Sequence, residues 1–570
     1  MRKRRLAIAI AVGAILLLLG RAFVFLYTDY VWYHALGGAA LWREKAVDQV
    51  ALLSGGLTIA FLFAYGNLSA VRHSIISLVL PRRIANVEFG EAVPVRFLDA
   101  AALGMAAVVA VATTAALPSW ESVATMRAGA RFGESDPYHQ LDLAFYTSWL
   151  PLETALHSWL IVVVATVTMV VVGLYALTPS LRWSDGGLRV SGYVRRHLGV
   201  LGGVLLLLIA WRFRLESYEL LSNGSGPAGA FTATDNRFVL PWYVGLVIIT
   251  VAAAAVVAWS TWTGQLTIAF AILSLVLVVI AGVQLWRPIA VGRAGGDAAY
   301  EATRRAFTAR AFARNTRDSA GPAGVVEGLR DSIRAADRSV SAAESRALIA
   351  PGASGYIVVS GTGRGVVAPS VSSLFSRTAH AWREQDGRVL AADLPNDPRI
   401  VRVRDLYDRV QRLAPVFSVL ETYEGSFHMD TLYWVVPVYA SSRLYPLAEQ
   451  RSIGDTIRTY FREAARAYVH SVTGRVMFVA DESGEPLATA WRRRFPSMFR
   501  SRAETAAWIG ELTPRPRRIV ATPDSAGEGD LQGSVRRLYL RMQEALARSD
   551  MTAFGQSFDS LGILLGGRPR

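Results

Sequence analysis

His157-Ser-Trp-Leu-Ile-Val-Val-Val-Ala-Thr-Val-Thr-Met-Val-Val-Val-Gly-Leu-Tyr-Ala-Leu177 is an almost unbroken apolar run with no acidic or basic residue after its first position. At 1.5 Å per helical residue such a run reaches across ~30 Å of hydrocarbon. Working outward, comparable stretches lie near residues 6–26, 46–66, 98–118, 197–213, 241–260 and 266–286. After Trp286 none recurs. The expected fold class is a membrane all-α bundle of about seven transmembrane helices, followed by a soluble α+β extracytoplasmic domain.

The composition averages these two unlike halves. Of 570 residues, 52% are hydrophobic and 18% charged, and there is no cysteine. The missing thiols remove disulfides, iron–sulfur clusters and cysteine nucleophiles together. The net charge is +15, and nearly all of the positive charge is arginine; Lys3 and Lys45 are the only lysines. Such a surface suits anionic lipid headgroups, phosphates or acidic polymers, although a GC-rich genome gives the same excess. No basic-aromatic fingerprint accompanies the charge, so nucleic acid is not an expected partner.

Loop charge sets the expected orientation. Arg2, Lys3, Arg4 and Arg5 precede the first span; Arg72, Arg82, Arg83 and Arg96 separate the second and third; Arg182, Arg189, Arg195 and Arg196 separate the fourth and fifth. These segments are expected in the cytoplasm. The connection between the third and fourth spans is acidic instead, with Glu121, Glu134, Asp136, Asp142 and Glu153. An odd span count with a cytoplasmic N-terminus places the C-terminal half outside, in a multi-pass protein of the cell (inner) membrane. The N-terminal run continues past Arg21 without a small-residue cleavage site and is expected to stay as an anchor. The span at 197–213 is the weakest, because Arg212 and Arg214 end it early. Asp48, Asp99, Glu153, His157 and Arg212 all fall near span ends, whereas pumps and ion-coupled transporters need ionisable relays at depth.

The remainder divides into an Ala/Arg-rich helical connector at 288–350, an α+β region at 351–513, and a linker with a C-terminal helical pair at 514–570. In the α+β region, Gly355-Tyr-Ile-Val-Val-Ser360 reads as a strand and Gly361-Thr-Gly363-Arg-Gly365 as a hairpin turn leading into Val366-Val367. The glycines lack the Lys-Ser/Thr ending and the spacing of a phosphate loop. Helices are expected near 370–384 and 400–413, and strands near 431–440 and 474–480. Asp481 to Pro486 breaks the chain. Trp491-Arg-Arg-Arg494 opens a basic patch expected to be a solvated helix face.

Several motifs fall between these elements in a fixed order. Asp29-Tyr-Val-Trp32-Tyr-His-Ala-Leu-Gly37 follows the first span. Phe132-Gly133-Glu-Ser-Asp136-Pro137-Tyr-His-Gln-Leu-Asp142-Leu-Ala-Phe-Tyr146, then Leu150-Pro151, precedes the fourth. Ser222, Gly229-Ala230, Asp235 and Leu240-Pro241 precede the sixth. In the second half come Tyr433-Trp434 and Tyr439, then Tyr445-Pro446, and finally Trp491 and Phe495-Pro496. Together they resemble the uncharacterised protein family 0182, large bacterial seven-span membrane proteins, of which this chain looks like a shortened member. The resemblance implies the seven-span architecture; no catalytic residues are established for the family, so none is carried over.

Chemistry was sought among the remaining residues. The eight histidines are scattered, with no His-Glu-x-x-His and no Gly-x-Ser-x-Gly nucleophile elbow. No cofactor motif is present. The best constellation is the acidic loop with Glu134, Asp136, His139 and Asp142, whose oxygens suit a hard cation; a capped turn leading into the next helix is the competing reading. The expected function is a non-enzymatic envelope scaffold or binding protein that displays an extracytoplasmic domain to anionic lipids, envelope polymers or partner proteins. A transporter or channel, and a membrane-interface enzyme built on the acidic loop, are the alternatives.

Overall fold

The computed structural model describes residues 2–76, 95–177, 187–291, 298–312 and 347–505, with breaks at 363–364, 392, 429–430, 454–455 and 481–483, and strand fragments at 83–84, 87–88, 181–184 and 522–523. The expected C-terminal helical pair and the second connector helix fall outside these residues.

The N-terminal half is helical: α1 (Arg2–Ala35), α2 (Ala39–Ile76), α3 (Val95–Thr113), α4 (Trp120–Ala128), α5 (Leu150–Ala176), α6 (Gly192–Glu219), α7 (Leu240–Thr263) and α8 (Leu266–Val291). Among the described residues, six segments are long and apolar enough to cross a membrane: Val12–Ala35, Ala39–Arg72, Arg96–Ala116, Phe145–Ala176, Gly192–Glu219 and Asp235–Thr263. The run expected at 266–286 falls in α8, whose apolar stretch Thr267–Gly282 is shorter than these. Helix α6 runs on through the arginines expected to end it. Arg212 pairs with Glu216 (3.0 Å) and Glu219 (3.1 Å), and Arg214 reaches Glu153 (3.5 Å).

Small residues let the helices approach. Gly199, Gly202 and Gly203 of α6 face Thr261, Val257 and Ala254 of α7, and a side chain at Gly199 would collide with Thr261. Ala106, Val109 and Ala110 of α3 pack into the cores shared with α2 and α5. Some polar groups inside the bundle are matched: the His157 ring donates to the Leu208 carbonyl (2.8 Å), and Tyr175, His197 and Asn67 form a hydrogen-bonded chain (2.8 and 2.9 Å).

Helices α5 and α7 begin alike. Each follows a five-residue π-turn, Phe145–Trp149 or Asp235–Val239, and each carries a Leu-Pro step, Leu150-Pro151 or Leu240-Pro241. Proline cannot donate to the carbonyl four residues back and its ring crowds that oxygen. The widened π-turn moves that carbonyl away.

After α9 (Ala298–Ala311) comes a mixed region of antiparallel sheet and short helices. Strand β1 (Ile357–Ser360) pairs with β2 (Pro398–Val401), not with Val366-Val367 as a hairpin would require. Val367 instead donates its N–H to the Thr473 carbonyl (2.8 Å). The larger sheet contains β3 (Ser418–Val419), β4 (Glu424–His428), β5 (Thr431–Ser442), β6 (Tyr460–His470), β7 (Val476–Ala480) and β8 (Phe499–Arg500). Its order is β8-β7-β6-β5-β3, with β4 also on β5, and every pair is antiparallel except β7–β8. Register runs from Tyr433 opposite His470 to Ser442 opposite Tyr460, with a bulge between Glu463 and Ala465. Helices α10 (Leu374–Glu384), α11 (Leu406–Leu413) and α12 (Pro486–Arg494) flank these strands, and Ser373, Asp405 and Glu485 cap their N-termini.

The two halves share one core. A single buried cluster runs from Trp32, Tyr33, Trp120, Tyr146, Phe213 and Phe231 of the bundle to Phe307, Trp434, Tyr445, Tyr460, Trp491 and Met498. The connections that make this contact are those between α1 and α2, α3 and α5, and α6 and α7. The α3–α5 connection is the acidic one, carrying Glu121, Glu134, Asp136 and Asp142.

Candidate functional site

The acidic loop is held together by its own carboxylates. Asp136 is 1% exposed. Its Oδ1 accepts from the Tyr138 and His139 N–H groups (2.9 and 2.6 Å), and its Oδ2 from the Leu141 N–H (2.9 Å) and the Tyr146 hydroxyl (3.0 Å). Asp142 accepts from the N–H groups of Phe132, Gly133 and Ala144 (3.3, 3.2 and 2.7 Å). Pro137 follows Asp136 directly and has no N–H of its own to satisfy. Glu134 pairs outward with Arg310 of α9 (2.5 Å), and His139 Nε2 donates to the Ser217 carbonyl of α6 (3.2 Å). The four residues thus point to four different sets of partners. Among the described residues, no three or more His, Asp or Glu gather in a group able to hold a metal ion.

The loop before α7 repeats the device. Asp235 is fully buried, and its Oδ2 accepts from the Ser225 N–H, the Thr232 N–H and the Thr232 hydroxyl (3.0, 2.9 and 3.0 Å). Here the motif residues meet the C-terminal half. The Leu447 N–H, one residue past Pro446, donates to the Leu221 carbonyl (2.7 Å), and the Gln450 amide donates to the Ser222 carbonyl (3.1 Å). Gly229 adopts φ +67°, and any side chain there would meet Gln450. Ala230 accepts from the Gly226 N–H (2.9 Å).

The motif residues of the second half pack within that half, with Trp434 and Trp491 in the shared core. Trp434 is fully buried and its indole N–H donates to the Ile349 carbonyl (2.8 Å). Tyr439 stacks on Phe461 (4.3 Å), Trp491 packs on Phe495 (4.7 Å), and Tyr433 lies 5.0 Å from the His470 ring. Pro496 is exposed at the end of that turn, Pro151 and Pro241 start the bundle helices already described, and Gly37 makes the α1–α2 turn at φ +77°.

Arginines of the C-terminal half grip the end of α1. Arg383 pairs with Asp29 (3.0 Å), donates to the Phe25 carbonyl (3.1 Å) and lies over the Phe25 ring (4.1 Å). Arg402 pairs with Glu384 (2.6 Å) and reaches the Thr28 carbonyl (3.4 Å). The Tyr33 hydroxyl donates to the Arg412 carbonyl (3.0 Å), and Arg409 lies over the Trp32 ring (5.7 Å). The Phe25 and Thr28 carbonyls lie two to three turns before the end of α1, so these arginines act as second donors on its flank beside the Asp29 carboxylate. On the far side, Arg494 of the expected basic patch pairs with Glu44 (2.6 Å) and donates to the Arg127 carbonyl (2.9 Å), so it is a docking contact and not a solvated face.

Between these contacts lies a cavity of about 510 Å³. The bundle contributes Glu121, Thr125, Ser148, Thr154 and Glu219; the C-terminal half contributes Ser441, Ser442, Arg443, Arg458, Tyr460 and Glu485. Glu485 is 1% exposed and caps α12, accepting from the Ala488 N–H (2.6 Å) and the Tyr460 hydroxyl (2.9 Å). Burial raises its pKa despite those bonds. Glu219 is engaged by Arg212 and by the Thr154 hydroxyl (3.2 Å). Arg443 and Arg458 have no carboxylate partner among the described residues; burial, and then Arg443, lower the Arg458 pKa. Asp136 and Asp142 are not among the lining residues.

None of the cavity's charged residues was singled out as a site from sequence. Glu485 lay in a turn-rich breaker and Arg458 and Tyr460 in a segment with no assigned element. The usable signal was Glu485-Pro486, a capping acid with proline at the first helical position.

Comparison with known proteins places these observations. The description "Uncharacterised protein family (UPF0182)" matches residues 6–295 and 354–510. The chain is similar to UPF0182 proteins of Trichodesmium erythraeum (27% identical, covering 46% of this chain and 29% of the relative), Geobacter sulfurreducens (29%, covering 46% and 30%) and Mycobacterium marinum (30%, covering 45% and 26%). The match thus spans less than a third of each relative's length. No solved structure matches.

Proposed function

The chain belongs to the uncharacterised protein family UPF0182, and we propose that it is a seven-span protein of the cell (inner) membrane that holds an extracytoplasmic domain as a non-enzymatic envelope scaffold or binding module. The observation that carries this reading is the single core running from Trp32 and Tyr146 of the bundle to Trp434 and Trp491 of the C-terminal half. A domain tethered only for catalysis or display needs no such contact; a domain held in fixed orientation over the bilayer does. The signature acids Asp136 and Asp235 are spent on shaping the loops that make it.

The partner we propose is an anionic lipid. Arg443 and Arg458 line the seam cavity with Glu121, Glu219 and Glu485 but pair with no carboxylate among the described residues, and a phosphate headgroup would relieve their mutual repulsion. Wild-type protein purified from membranes is expected to carry anionic lipid that an Arg443→Ala/Arg458→Ala variant has lost, with thermal unfolding unchanged. Equal lipid retention would sink the partner. Sidedness is tested separately: Arg500→Cys, exposed on β8, is expected to react with a membrane-impermeant maleimide in cells whose outer barrier is opened, and labelling only after lysis of the inner membrane would reverse the topology.

A further inference from the structure

Helix α10 belongs to the soluble half by sequence, yet it packs against the membrane-length part of α1. Leu16, Leu17, Leu18 and Leu19 of α1 are 62–69% exposed, as lipid-facing residues are. The next residue is Gly20, and the Trp382 indole of α10 lies against it, so close that a Cβ at position 20 would fall 2.8 Å from the ring. Phe375 of α10 packs on Phe23 (6.4 Å) and Tyr27 (4.9 Å). Gly20 lies eight residues inside the apolar segment Val12–Ala35, and ~22 Å of helix separates it from Ala35 at 1.5 Å per residue. Contact at that level brings α10 down beside the apolar body of α1.

The polar groups of α10 are arranged for such a place. Its charged residues are Arg377, Arg383 and Glu384. Arg377 donates to the Val371 carbonyl (3.0 Å), Arg383 pairs with Asp29, and Glu384 pairs with Arg402. His380 is fully buried and held neutral, its pKa pushed down to about 3 by burial and then by Arg402 and Arg383. What remains outward is Leu374 (76% exposed), Phe375 (55%) and Thr378, whose hydroxyl is satisfied by the Leu374 carbonyl (2.9 Å). The outward face therefore carries apolar side chains and no unpaired charge. Arg388, on the turn that follows, is the long exposed cation that can extend to headgroups.

Resting on the membrane reading above, we infer that α10 is an interfacial helix seated beside α1 in the extracytoplasmic leaflet, with Leu374 and Phe375 in contact with acyl chains. The soluble half is thereby held by lipid as well as by the bundle, and its contact with the membrane lies at a fixed distance around α1. Burying two large apolar side chains in hydrocarbon stabilises the seat in the way amphipathic helices bind interfaces.

The chain has no cysteine, so single labels report without background. Leu374→Cys, Leu18→Cys and Ile457→Cys variants, each carrying an environment-sensitive fluorophore, are reconstituted into pure phospholipid vesicles with and without doxyl-labelled lipid. Ile457 lies on a sheet-edge hairpin (Arg451–Ile453 with Thr456–Arg458) and is the aqueous reference. Leu18 tests the membrane reading itself. The expected result is quenching and a blue shift at Leu374 comparable to those at Leu18, with neither at Ile457. Quenching at Leu18 with a Leu374 signal like that of Ile457 overturns the seat while the membrane reading stands, and marks that face as one for a protein partner. Loss of quenching at Leu18 as well overturns both.

Discussion

The guanidinium of Arg409 lies over the Trp32 indole, 5.7 Å from the ring centroid, and is almost fully buried with no carboxylate partner among the described residues. Its Nε and Nη1 find no hydrogen-bond partner among the described residues, and burial lowers its pKa to about 9. The attraction to the indole face offsets only part of the desolvation cost. Arg409→Met should therefore stabilise the protein by ~1–3 kcal/mol at neutral pH. The sign with pH follows from the lowered value. Between about 9 and the ordinary arginine pKa, the unfolded chain binds the proton and the folded one does not, so wild-type stability rises through that window. The advantage of Arg409→Met should shrink above pH 9, read from thermal unfolding of both proteins across pH. Trp32→Ala should go the other way, losing about 3–5 kcal/mol as a buried aromatic leaves a cavity.

His380 predicts the acid limb. It is fully buried, neither ring nitrogen has a partner among the described residues, and its pKa is held at about 3. Below its unfolded pKa near 6.5, the unfolded chain takes up a proton that the folded one refuses. Stability from this group is complete above that value and falls as pH drops toward 3, by at most roughly 1.4 kcal/mol per pH unit. His380→Leu should flatten the wild-type slope between pH 6 and 4. An unchanged slope would place the acid sensitivity elsewhere.

Substitution separates the roles of the acidic loop. Asp136→Asn replaces one of two accepting oxygens with a donor, against three N–H groups and the Tyr146 hydroxyl. It should cost on the order of 2–4 kcal/mol. Asp142→Asn keeps one accepting oxygen for Ala144 and should cost about 1 kcal/mol. Unfolding in mild detergent measures both. Full stability of Asp136→Asn with loss of a specific activity would favour an enzyme at this loop.

The long apolar helices were legible because hydropathy alone marks them, and the end of α6 was misjudged because Arg212 finds Glu216 and Glu219 one and two turns on and Arg214 reaches Glu153 of α5. Strand β5 was legible from its β-branched and aromatic run, Leu432 to Tyr439. Strand β6 was not: Arg462-Glu-Ala-Ala-Arg-Ala467 has helical composition, and pairing with β5 and β7 overrides it. The motif acids were found but weighed as ligands, since sequence shows a carboxylate and not the N–H groups that close on it. The cavity was invisible because Glu121, Glu219, Arg458 and Glu485 are brought together only by docking of the halves.

Docking is tested most directly at Gly38, where a Cβ would lie 3.4 Å from the Met498 sulfur. In a Gly38→Cys/Met498→Cys variant, mild oxidation of native membranes should link the two positions within one chain and leave the thermal unfolding of the bundle higher than in the reduced protein. Free thiols at both positions, each labelling singly under the same oxidation, would show that the two halves do not share a core.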